Sequence, residues 1–79
     1  MKPHDAYHRF VHWSDEDQAY IGYCPDLYFG GVCHGEDETE VYRELCQIVR
    51  DEVAHRLLQN LALPAPQVRV MRELENAAA

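Results

Sequence analysis

Apolar positions in the second half of the chain recur at spacings of three and four: Val41, Leu45, Ile48, Val49, Val53, Leu57 and Leu61. This pattern predicts an amphipathic helix over residues 38–61 with one buried stripe. Asp37 stands where a carboxylate can cap the first free amides, and Glu40, three residues on, can reach back to it, a capping box written with Asp. Glu38 and Glu40 lie at the favourable end of the helix dipole and Arg56 near the other end, which agrees with that direction. Pro64 and Pro66 follow the stripe and halt the helix.

The first half of the chain carries strand signals instead. Residues 6–13 and 18–24 are rich in aromatic and β-branched side chains, and Ser14, Asp15, Glu16 and Asp17 between them supply turn chemistry, so the two predict an antiparallel hairpin. Pro25 removes a ladder donor and with Asp26 turns the chain, after which residues 30–35, with glycines at both ends, read as a short return strand. Val68 and Val70 alternate at strand period and predict a fourth strand over 67–71, beside the first. Residues 72–79 are polar and small, the composition of a frayed tail. The expected fold is α+β in two layers: a three- or four-stranded antiparallel sheet with one long helix on one face, forming one domain over 1–71. Both parities of the first strand carry aromatics, so the pattern leaves open which of its faces packs under the helix.

With 79 residues the chain is a single small domain, and a domain of this size hides only about 60% of the surface its unfolded chain exposes, so self-association into a dimer or tetramer is expected to help it. Hydrophobic content of 47% excludes a wholly disordered chain, while no apolar run approaches the roughly 20 residues of a membrane span. The first residues lack the apolar core of a secretion signal, and a cytoplasmic location follows as the expectation. Fourteen acidic against seven basic side chains give a formal charge of -7, which repels phosphate backbones and argues against direct nucleic-acid binding. The same charge suits a basic protein partner, and equally suits plain solubility.

Three kinds of chemistry were weighed against simpler roles. His4, His8 and His12 are spaced by four, but on a strand, with a rise of about 3.3 Å per residue, neighbours in that series stand about 13 Å apart, too far for one ion to bridge. No metal or cofactor is therefore expected, even with Cys24, Cys33 and His34 nearby in sequence. Asp15, Glu16, Asp17 and Asp26 invite comparison with magnesium-binding nuclease carboxylates, yet a run of three in a hairpin loop reads as a solvated turn. Cys33 and His34 are adjacent, so on a strand they point to opposite faces and cannot pair as nucleophile and base. Cys24 and Cys46 read as small apolar side chains. With three cysteines and no close-spaced pair, a disulfide framework is not expected. Tyr28 and Phe29 are large aromatics in a turn, the kind of residue enriched at protein interfaces or folded back as a lid on the core.

The run Tyr20-Ile21-Gly22-Tyr23-Cys24-Pro25-Asp26-Leu27, followed by Gly30, Val32, Gly35, Asp37 and Glu40, resembles the HicB family, the antitoxin half of the HicA/HicB toxin–antitoxin pairs. The resemblance covers residues 7–66. Two departures stand out: the turn through Leu27, Tyr28, Phe29 and Gly30 is one residue longer than the family's Pro-Asp-Leu-Pro-Gly, and Val41 stands where alanine is common. The resemblance implies a truncated RNase H-like β-β-β-α-β layout and a non-catalytic role. The implied partner is a small basic HicA-type toxin that cleaves mRNA and has a double-stranded-RNA-binding-like fold. It places Asp15, Glu16, Asp17, Asp26, Tyr28 and Phe29 at the partner-binding surface, where charge and shape would cover the toxin's active face. Many HicB-like proteins carry a DNA-binding segment after this module. Only nine residues follow Val70, so operator binding is not expected here. The alternative is an orphan homo-oligomeric structural or adaptor protein of the same fold, with no toxin.

Overall fold

The computed structural model describes residues 2–67. A three-stranded antiparallel sheet in the order β1-β2-β3 is built from β1 (Phe10–Ser14), β2 (Ala19–Tyr23) and β3 (Gly31–Gly35), and one helix, α1 (Glu38–Leu58), packs across it. This is the α+β, two-layer arrangement of sheet and helix that the pattern predicts. The fourth strand over 67–71 and the tail over 72–79 lie, from Val68 on, outside the described residues. Among the described residues no helix is long and apolar enough to cross a membrane.

The first strand is shorter than expected. Pro3–Ala6 forms a 3-10 turn, for which a proline at the start is preorganised, and pairing begins only at Phe10. The residues between are used for packing. Tyr7 is buried, and its hydroxyl donates to the carbonyl of Pro64 at 2.6 Å, which pins the segment after the helix against the start of the chain. The hairpin pairs Phe10 with Tyr23 and Ser14 with Ala19, leaving residues 15–18 as its loop, closed by Gln18 at φ 51°.

Between β2 and β3 the register slips. Gly22 faces Cys33 and Tyr23 faces Gly31, so Val32 is the extra residue of a bulge, and both Val32 and Cys33 pack toward the core. Gly30, at φ 77°, makes the turn before β3.

Parity along the strands, fixed by contacts to the helix, separates the two faces of the sheet. A side chain on Gly22 would press on Cys33 Sγ at 3.0 Å and on Leu45 Cδ2 at 3.3 Å, so Gly22 lies directly beneath the helix. With it go Val11, Cys24, Cys33 and Gly35. The core joins Tyr7 and Cys24 to Leu45, Val49 and Val53 of the helix, with Leu27, Tyr28 and Leu63 packed at its margin.

The helical stripe is narrower than the sequence pattern suggests. Val41, Leu45, Val49 and Val53 are buried, Ile48 is half-buried, and Leu57 and Leu61 are each 52% exposed. At about 100° per residue, each step of four residues winds the stripe about 40° further, so by Leu57 it has turned about 160° from Val41 and left the sheet. The inner face of the last turns carries Glu52 and Arg56 instead, half-buried and paired at 2.6 Å, and Arg56 Nη1 also donates to the Ala62 carbonyl at 3.3 Å.

Both helix ends differ from expectation in an instructive way. Asp37 caps the start, its Oδ2 accepting from the Glu40 amide at 2.8 Å, but the Glu40 carboxylate turns away to accept from Arg43 Nη1 at 3.2 Å, so only half of the capping box forms. The helix stops at Leu58 rather than at residue 61. The amides of Asn60 and Leu61 donate back to the carbonyls of Leu57 at 3.3 Å and Arg56 at 2.8 Å, with Asn60 at φ 57°, a Schellman termination with asparagine in the usual glycine position. Asn60 ends the helix before either proline is reached.

Candidate protein-binding face

The six residues expected to meet a partner fall at opposite ends of β2. Asp15, Glu16 and Asp17 lie in the exposed β1–β2 turn, while Asp26, Tyr28 and Phe29 lie in the β2–β3 connection. At about 3.3 Å per residue, the strand between the two groups spans about 13 Å, so they do not form one cluster.

The acidic turn is braced by its own side chains. Trp13 Nε1 donates to Asp15 Oδ1 at 2.8 Å, Ser14 Oγ donates to Asp17 Oδ2 at 3.0 Å and accepts from the Asp17 amide at 3.2 Å, and Gln18 Nε2 donates to the Asp15 carbonyl at 2.7 Å. These bonds hold three carboxylate residues in solvent at one end of the sheet.

At the other end the residues divide by role. The Asp26 carboxylate accepts from the Gln67 amide at 3.2 and 3.3 Å and so fastens the segment that follows the helix. Tyr28 folds back on the core margin, as a lid would, and burial pushes its hydroxyl pKa up, with the charge of Glu52 adding to the shift. Phe29 is fully exposed, at 108%. Of the two aromatics that the sequence placed together, one closes the core and the other faces solvent.

The open face of the sheet connects the two ends. It bears Phe10 and His12 of β1, Ile21 and Tyr23 of β2, and His34 of β3, since the helix covers the opposite parity. The rings form a continuous strip. Phe10 stacks on Tyr23 with centroids 5.0 Å apart, His12 meets Tyr23 edge-on at 5.0 Å and 3.3 Å from its hydroxyl, and His8 lies 5.4 Å from Phe10. Beside the strip runs a shallow groove of about 440 Å³, whose lining includes Asp17, Ala19, Ile21, Tyr23, Gly31 and His34. Sequence reading passed over this face. The alternation His8, Phe10, His12 is a strand-period signal for it, but the aromatics on both parities of the first strand leave open which face is covered.

The chemistry-bearing side chains are dispersed. His4 sits in the 3-10 turn beside Asp5, at 3.4 Å, away from His12 on the sheet. Cys33 lies under the helix, its Sγ donating to the Val41 carbonyl at 3.6 Å, whereas His34 is exposed on the other face. Burial pushes the thiols of Cys24 and Cys33 up, the opposite of what a nucleophilic thiolate needs. Among the described residues no group of three or more His, Cys, Asp or Glu side chains is arranged to hold a metal ion. What the arrangement offers is a surface: a rigid aromatic strip on a sheet, with carboxylates at its ends. No family model, curated protein or solved structure matches the chain.

Proposed function

We propose that this protein is a non-catalytic binding module of the HicB antitoxin kind, which neutralises a small basic HicA-type RNA-cleaving toxin by covering its active face. The observation that supports this best is the β-β-β-α order with the helix on one face of the sheet, which leaves the other face open between an acidic turn and the exposed Phe29. Such a layout suits a truncated RNase H-like domain, as the motif through Tyr20–Leu27 and Asp37 implies. The charge of -7 would draw in a basic partner and slow the approach of nucleic acid. In this reading Asp15, Glu16 and Asp17 supply charge, Phe29 supplies shape, and Asp26 and Tyr28 hold the turn from which Phe29 projects. Neutralisation is steric. The protein acts in the cytoplasm, where its three free cysteines stay reduced.

The test is recovery of the tagged protein from its native cell extract at low and moderate salt. A stoichiometric small basic protein that cleaves RNA alone, is silent in the complex, and dissociates as salt rises is the expected result. Recovery of only this chain's own homo-oligomer would sink the antitoxin reading and favour the orphan one. That second reading draws its support from Phe29, Leu57, Leu58 and Leu61, which expose apolar surface that a second copy could cover.

A further inference from the structure

We infer that the open sheet face grips its partner through arginine or lysine side chains laid against the aromatic strip of Phe10, Tyr23 and His12, in an extended basic segment that crosses the groove toward the acidic turn. The inference rests on the antitoxin reading for the partner's identity as a basic protein, but its evidence is the face itself. Phe10 and Tyr23 stack at 5.0 Å and both are partly exposed, and the ring surface that the stack leaves uncovered attracts a guanidinium or ammonium group through the ring quadrupole. None of the strand residues on this face, Phe10, His12, Ile21, Tyr23 and His34 among them, is Lys or Arg. Arg43, Arg50 and Arg56 stand on the helix behind the sheet, and Arg9 has the parity of Val11 and reaches the carbonyl of His4 at 3.3 Å.

Thus a cation arriving on the open face meets rings, then the carboxylate of Asp17 at the end of the groove, with no Lys or Arg side chain from β1, β2 or β3 among the described residues. Ring platforms on sheets also suit stacked nucleic-acid bases. Here a face without Lys or Arg among its described strand residues and a net charge of -7 favour the cationic peptide over the polyanion.

The full chain, labelled for amide chemical-shift mapping, would be titrated at low salt with an Arg-Ser repeat decapeptide, its Gln-Ser counterpart, and a uridylate decamer. Expected are saturable shifts at Phe10, His12, Ile21, Tyr23 and His34 with the arginine peptide alone. Affinity should fall about tenfold for the double variant Phe10→Leu, Tyr23→Leu, with the shifts of Leu45 and Val49 unchanged to show that the fold is intact. The comparison of the arginine and glutamine peptides needs no variant, so it decides the matter even if the double variant fails to fold. Shifts confined to residues 15–18, an equal response to the glutamine peptide, or seating of the uridylate in place of the peptide would each overturn the inference. The two proposals fail separately. A native basic toxin that binds the double variant as tightly as the parent would overturn this inference and leave the antitoxin reading standing. An arginine peptide seated on the strip, with no toxin in the extract, would do the reverse.

Discussion

The two faces of this sheet are built from alternate residues of the same strands, yet they differ at the centre of the sheet, where the helix crosses one of them. Beneath the helix lie Gly22, Cys33, Cys24 and Gly35, small residues that let Leu45 and Val41 approach the backbone closely. On the open face stand Phe10, Tyr23, Ile21 and His12. Phe10, Tyr23 and His12 pack on one another on the open face, whereas Tyr7 fills the core and Trp13 and Tyr20, on the helix-side parity, pack against each other at 5.1 Å. Close approach of the helix explains the first choice. The second has no explanation in the packing of the described residues, and it is the reason for proposing a binding role there.

Substitutions on either side of β2 test that contrast. Leu45, fully buried above Gly22, should cost about 2–5 kcal/mol when cut to alanine, a loss that urea titration would show as a largely unfolded domain. Next in size is Gly22→Ala, where a new methyl meets Cys33 Sγ at 3.0 Å and the Leu45 side chain at 3.3 Å, and about 1–3 kcal/mol of overpacking is expected. Its counterpart on the open face is Gly31→Ala, whose methyl would meet Ile21 Cγ2 at 2.9 Å. There relief needs only a χ1 shift of the half-buried Ile21, so the cost should be about 0.5–1.5 kcal/mol. Equal penalties for the two glycines would show that the open face is packed after all. Asp37→Ala removes the cap on the Glu40 amide and should lower stability by about 1 kcal/mol, a loss confined to the helical layer and visible as faster amide exchange in its first turn.

The pH dependence gives the smallest effect near neutrality. Burial raises the pKa of Cys24 and Cys33 above the ordinary 9.0, and of Tyr7 and Tyr28 above the ordinary 10.0. Each group keeps its proton longer in the folded state than in the unfolded chain. The unfolded state therefore loses protons first, and stability is whole below about pH 9, declines as pH passes the unfolded values, and is lost as pH rises through the raised ones. Urea midpoints at pH 7.5, 9 and 10 that failed to fall would contradict the burial of these groups. All four belong to the core or its margin.

Much of the molecule was legible in the residues themselves. Aromatic and β-branched content between turn residues marks the three strands, a repeat of three and four marks the helix, and Asp37 announces the helix start by a purely local bond. The helix end was misplaced because the prolines were credited with a stop that Asn60 makes by adopting a positive φ, a conformation an asparagine permits but does not declare. The acidic turn lies in the loop between strands as expected, and the lid that was one of the two readings for Tyr28 and Phe29 is formed by Tyr28 alone, whereas the role of Asp26 was not legible because it depends on Gln67, distant in sequence.

By itself, then, the sequence determined the order of the three described strands and the helix, the hairpin, the amphipathic character of that helix and the net acidity of the chain. Each of these follows from neighbours along the chain. Which face of the first strand is covered was decided only by the tertiary structure, because His8, Phe10 and His12 on one parity and Val11 and Trp13 on the other are both apolar enough to be buried. The tie is broken by β2, where glycine at 22 and cysteine at 24 admit a helix at close range on one side while tyrosine at 23 excludes it on the other.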